Sequence, residues 1–87
     1  MSYNGYPNYA TWNVQLWLDN DEGLYREYQR RIRRAHNEID GEFVESVVRD
    51  LMPDGTPDFA TGAARYKEVD WDHLAESWEQ ERLEYAA

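Results

Sequence analysis

Along the first part of the chain the apolar positions keep to no single side. At 100° per residue Trp12 and Leu16 project together, while Val14, Trp17 and Leu18 fall across the opposite half of the turn. Apolar groups on most sides mark a central, well-covered helix near residues 11–19, with Thr11 as its cap and both Trp12 and Trp17 in the core. A buried strand is the alternative for so short a run. Asp19, Asn20, Asp21 and Glu22 then supply caps and acids where a second helix starts, favourably for its dipole. In that helix, near residues 21–38, Leu24, Tyr25, Tyr28, Ile32, Ala35 and Ile39 fall within an arc of about 100°. Arg26, Arg30, Arg33 and Arg34 fill the opposite side, with Arg31 on a flank.

Asp40-Gly41 breaks this pattern, and a third helix near 42–52 gathers Phe43, Val44, Val47, Val48 and Leu51 on one face before Pro53-Asp54-Gly55 stops it. Thr56-Pro57-Asp58 reads as a cap followed by proline at the first helical position. A short fourth helix near 57–66 follows, carrying Phe59, Ala63 and Tyr66 and weakened by Gly62. Asp70 caps the last helix, near 70–85. There Trp71, Leu74, Ala75, Trp78 and Tyr85 share an apolar arc, and Asp72, Glu76 and Glu79 line an adjacent one. Residues 1–9 mix Asn, Gly and Pro with three tyrosines and read as an irregular arm, with Tyr3 and Tyr6 as candidate contact residues. The expectation is an all-α single domain, residues 1–87, of about five short helices.

Length and composition narrow what such a domain can do. Eighty-seven residues make one core, burying roughly 64% of the surface of the extended chain. The lack of cysteine excludes disulfide scaffolds, thiolate zinc sites and cysteine nucleophiles. A mean hydropathy of −0.97 and the lack of a long apolar run exclude a membrane span, and the opening residues lack the features of a signal peptide. A cytoplasmic location in the host cell is expected.

Charge changes the picture further. Eighteen acids against nine bases give −9, and the distribution is uneven. Residues 26–34 carry five Arg and one Glu, between acidic blocks at 38–58 and 68–84 that each hold seven acids and one Arg. So acidic a chain repels nucleic acid and favours basic partners, although solubility or salt adaptation accounts for the same composition.

Catalytic and metal chemistry finds little to work with. His36 and His73 form no His-x-x-x-His pair. Asp19-x-Asp21 opens like a calcium loop, but Leu24 holds the glycine position and Arg30 the glutamate position. No serine sits in a glycine-flanked elbow and no glycine-rich phosphate loop is present. Neither enzyme activity, a metal nor a cofactor is expected.

The stretch Asn8-Tyr9-Ala10-Thr11-Trp12-Asn13-Val14-Gln15-Leu16-Trp17, continued by Asn20-Asp21-Glu22-Gly23-Leu24-Tyr25, resembles the signature of a family of small proteins encoded by phages, plasmids and archaeal viruses. Val69-Asp70-Trp71 is similar to the Val-Asn-Trp that opens that family's closing helix. The resemblance implies an origin on a virus or mobile element. By analogy with other small acidic proteins of such elements, it implies binding to host machinery such as restriction or CRISPR nucleases.

Three readings follow. In the first, a host protein with a basic surface is bound through Asp72, Glu76 and Glu79, which stand in for part of a nucleic-acid strand. The helix from Asp70 to Glu84 carries net −5 over about 22 Å, less dense than one DNA strand. In the second, an accessory protein binds nucleic acid through Arg26, Arg30, Arg33 and Arg34, against the overall charge. In the third, a homodimer forms in which the arginines of one copy meet the acids of another.

Overall fold

Four α-helices and one 3-10 helix account for most of the chain: α1 (Tyr9–Asn20), α2 (Glu22–Arg34), α3 (Gly41–Leu51), the 3-10 helix Gly62–Glu68 and α4 (Trp71–Ala86). They come from a computed structural model that describes residues 3–87. Met1 and Ser2, the first positions of the expected arm, lie outside the described residues. The all-α expectation holds: no strand forms among the described residues, and the only β-type pairing there is an isolated bridge between Tyr3 and Tyr6. That bridge closes a two-residue turn in which Asn4 and Gly5 both take positive φ, and it seats Tyr3 on Tyr9 and Trp12, with ring centroids 5.5 and 4.7 Å apart.

α1 begins earlier than its pattern predicts. The cap is Asn8, whose Oδ1 accepts from the Thr11 N–H at 2.9 Å and the Thr11 hydroxyl at 2.7 Å. Thr11 is instead fully buried, and its hydroxyl oxygen accepts the Asp70 N–H at 2.8 Å, tying the start of α1 to the start of α4. Ala10, Val14 and Leu18 supply the apolar stripe of α1, alongside buried Thr11, Asn13 and Gln15. Trp12 and Trp17, expected in the core, are only half-buried, because hydrogen-bonded polar side chains share the inward side with the aliphatic ones.

α2 is capped by Asp21, which accepts from the Leu24 N–H, and it buries Tyr28, Gln29 and Ile32. It stops at Arg34, not near residue 38. The chain turns extended at Ala35, and Ile39 still reaches the core, 4% exposed, with its N–H donating to Glu79 Oε1 at 2.9 Å. Asp40 then caps α3 by accepting from the Phe43 N–H. A helix continued through Glu38 would leave only Ile39 to cross from α2 to that cap.

The expected fourth α-helix does not form. Residues 56–61 form short turns and irregular backbone, and only a 3-10 helix follows, from Gly62 to Glu68. The cause is tertiary. The Thr56 hydroxyl donates to Asn13 Oδ1 at 2.5 Å, while Asn13 Nδ2 and Trp17 Nε1 both donate to Asp58 Oδ2 at 2.8 Å, so this loop is tied side chain by side chain to α1. Gly55 has φ +91° and packs against the Gly62 backbone so closely that a Cβ would sit 2.7 Å from the Gly62 carbonyl carbon.

The helices close around Trp78 of α4, which is fully buried against Tyr28 with ring centroids 5.0 Å apart, its indole N–H donating to Gln15 Oε1 at 2.9 Å. Gln15 and the Tyr28 hydroxyl in turn donate to Asp19 at 3.1 and 2.7 Å. This network links α1, α2 and α4 through polar groups, and no buried side-chain polar atom among the described residues lacks a partner. No helix among the described residues is long and apolar enough to cross a membrane.

Candidate functional site

Two helix starts converge on one face of the molecule. Asp40 caps α3 and Asp70 caps α4, each accepting a backbone N–H three residues on, at 2.9 and 3.0 Å. Gly41, the first residue of α3, is buried against Asp72 in the first turn of α4. Shallow clefts open on either side of this contact. One is lined by Glu38, Asp40, Asp72, Glu76 and Glu79, the other by Glu42, Glu45, Asp70 and Asp72. Carboxylates gather here because the exposed N–H groups at two helix starts carry partial positive charge.

The three acids expected to act together separate into two kinds. Asp72 and Glu76 are exposed and pair with no base among the described residues. Glu79 is turned inward, its side chain 16% exposed. It accepts from both Arg82 Nε and Nη2, at 2.7 and 2.6 Å, and from the Ile39 N–H at 2.9 Å. The Arg82 guanidinium, reinforced by the Ile39 amide, pulls the Glu79 carboxyl down to about 2. Glu79 is therefore a fastener between α4 and the α2–α3 connection, not an open carboxylate. In its place the fold brings Glu38, Asp40 and Glu42 beside Asp72 and Glu76, so the acidic surface is a patch built from two segments and not a stripe on one helix.

Further along α4, Glu81 faces α2 and accepts from Gln29 Nε2 at 2.8 Å, and burial raises its carboxyl above the ordinary range. The charge that sequence counting assigns to α4 is thus partly spent inside the molecule. Among the described residues no group of three His, Asp or Glu side chains is arranged to hold a metal ion.

The arginine stripe does share one face of α2, but most of it is already engaged. Arg26 pairs with Glu22 at 2.8 Å and Arg30 with Glu27 at 2.9 Å, both within the helix. Arg31 reaches Asp50 of α3 at 2.6 Å. Arg33 lies over the Tyr85 ring, 5.6 Å from its centroid. Arg34 is exposed and makes no ion pair among the described residues. The candidate contact tyrosines of the arm are also engaged. Tyr3 stacks on α1, and half-buried Tyr6 meets His73 of α4 edge-on at 5.6 Å.

The sequence suggests Asn8 and Asn13 as backbone caps; this holds for Asn8, while the side-chain partners of Asn13 and the role of Asp58 were missed. Asn8, beyond capping α1, donates to the Glu68 carbonyl at 2.8 Å. Asn13 bonds side chains and not backbone, and Asp58 is the acceptor that holds both it and Trp17. The signal was the polar residue at nearly every second position of α1 in an otherwise apolar run.

The profile of a family of unknown function (DUF7249) matches residues 1–83, and the chain belongs to that family. No curated protein and no solved structure matches it.

Proposed function

We propose that this family member is a non-catalytic acidic binder, encoded by a virus or mobile element, that docks on a basic surface of a host protein. It does so through Asp72 and Glu76 of α4 together with Glu38, Asp40 and Glu42. The observation that carries the reading is the gathering of five carboxylates around the Gly41–Asp72 contact, with no base paired to any of them among the described residues. Asp72 and Glu76 lie one turn apart, about 6 Å along the axis. The 38–42 segment adds a second row of charge. Such a surface suits a groove lined with Lys and Arg, and it stands in for a short stretch of nucleic-acid backbone, as an inhibitor of a restriction or CRISPR nuclease would. The ion pairs of Arg26 and Arg30 and the packing of Arg33 on Tyr85 weigh against the rival reading in which Arg26, Arg30, Arg33 and Arg34 bind nucleic acid.

The test is an affinity capture from host lysate, with and without nuclease, comparing the wild type with a variant carrying Glu38→Gln, Asp72→Asn and Glu76→Gln. Glu79 is left intact because its loss would disturb the fold. A partner that survives nuclease treatment and is lost in the variant is the expected result. A partner retained by the variant overturns the acidic-face mechanism, and a catch that vanishes with nuclease moves the activity to the arginines of α2.

A further inference from the structure

Sharing no lining residue with the clefts of the acidic patch, an open, shallow groove of about 440 Å³ runs between α1, the start of α2, and the end of α3 with the loop that follows it. That is within the ~300–1,000 Å³ range of clefts that hold ligands. Its walls are apolar: Trp17, Leu24, Leu51 and Pro53, each only partly covered or fully exposed. Its rim is acidic. Asp21 and Asp54 line it, neither ion-paired among the described residues, and Lys and Arg are missing from its lining.

The groove is also built in advance. One wall is the loop after α3, fixed by the Thr56, Asn13, Asp58 and Trp17 hydrogen bonds and by the close backbone contact of Gly55 with Gly62. An occupant would therefore meet little ordering cost on the protein side. From the apolar walls, the acidic rim and the fixed loop, we propose that this groove binds a peptide segment in which a large apolar side chain is flanked by Lys or Arg. The apolar anchor fills the space between Trp17 and Leu51, and the flanking cations meet Asp21 and Asp54. The site is independent of the Asp72–Glu76 face and extends what the chain can grip beyond charge alone.

The test is a ¹H–¹⁵N correlation titration of the assigned protein. The probe is a ten-residue synthetic peptide with tryptophan and leucine at its centre and two arginines on either side. Saturable shifts of the Trp17 indole N–H and of the Leu24 and Gly55 amides are expected. Binding should weaken about threefold or more in Asp54→Lys and again in about 0.5 M salt. It should be lost when the central tryptophan and leucine are alanine, and unchanged in the Asp72→Asn/Glu76→Gln variant. The proposal is overturned by the lack of any saturable shift at millimolar peptide, by shifts confined to Asp72 and Glu76, or by equal binding of a peptide whose arginines are replaced by glutamates.

Discussion

Asp72, in the first turn of α4, fills the space that a side chain on Gly41 would need. A Cβ built on Gly41 overlaps the Asp72 carboxylate and comes within 3.2 Å of its backbone nitrogen. With no side chain between them, the starts of α3 and α4 approach each other, and their caps Asp40 and Asp70 come onto one face. Two sets of unpaired helix N–H groups then stabilise carboxylates that would repel one another on a flat surface. The acidic patch is in this sense a product of helix packing and not only of composition.

Gly41→Ala should therefore destabilise the protein. Alanine gains up to about 1 kcal/mol of helix propensity over glycine, while forcing a methyl group into a filled contact costs about 1–3 kcal/mol. A net loss of about 1 kcal/mol follows, a fall in Tm of roughly 4–8 °C for a domain of this size. Adding Asp72→Ala should restore only part of the loss, because the backbone nitrogen of residue 72 stays in place. Thermal unfolding of the single and double variants closes the cycle. A Tm unchanged in Gly41→Ala would mean that the two helix starts separate without cost.

Glu79 should make stability fall in acid. Its carboxyl is held at about 2, against an ordinary value of 4.5, chiefly by the Arg82 hydrogen bonds and then by the Ile39 amide. The folded state thus binds the proton more weakly than the unfolded chain. The stabilisation is fully present above about pH 5 and drains away as pH falls from there toward 2. Glu79→Gln should lower Tm at neutral pH, and the gap from wild type should narrow steadily between pH 5 and 2.5. Parallel thermal scans across that range read the effect directly; a gap independent of pH would show that the carboxylate charge contributes nothing.

The fold class was legible because α2 and α3 carry clean apolar arcs, and Asp21, Asp40 and Asp70 cap where local chemistry says they should. What misled was local regularity overruled from a distance. Ile39 continues the apolar arc of α2 but is buried from an extended segment that Glu79, forty residues away, holds by a backbone hydrogen bond. Thr56-Pro57-Asp58 has the chemistry of a helix start, yet the side chains of Thr56 and Asp58 are drawn to Asn13 and Trp17. The acids of α4 were counted correctly, but pattern alone does not tell an exposed Glu76 from a Glu79 clamped by Arg82 three residues on.

Asn13 is the most exacting polar position in α1. Fully buried, it donates to Asp58 and accepts from Thr56, and no water-exposed alternative exists for either of its ends. Asn13→Ala should cost about 1–2 kcal/mol, since it leaves the buried Thr56 hydroxyl without its acceptor and removes one of the two donors to Asp58 Oδ2, which keeps Trp17 Nε1. The loop should also loosen. Urea unfolding measures the first effect, and faster exchange of the Phe59 and Gly62 amides, which donate to Thr56 and Phe59 carbonyls, measures the second. Loss of stability with unchanged exchange at those two amides would show that the loop is held by other means.

At the alkaline end Tyr66 is one of the groups that make stability depend on pH. Its ring is completely buried, its hydroxyl donates to the Met52 carbonyl at 2.5 Å, and burial pushes its ionisation up to about 12. An unfolded tyrosine gives up its proton near 10, so here the folded state binds the proton more tightly. The contribution is whole below pH 10 and is lost as pH climbs from 10 toward 12. Tyr28, buried and hydrogen-bonded to Asp19, shifts in the same direction, so the wild type should weaken steeply in this range. Tyr66→Phe removes the hydrogen bond to Met52 and should cost about 1 kcal/mol at pH 7. It also removes one of the raised tyrosine titrations, leaving those of Tyr6 and Tyr28, so its urea midpoint should fall less steeply above pH 10 and approach that of the wild type by pH 11. Parallel midpoint curves over that interval would mean that Tyr66 ionises in the folded protein no later than it does in the unfolded chain.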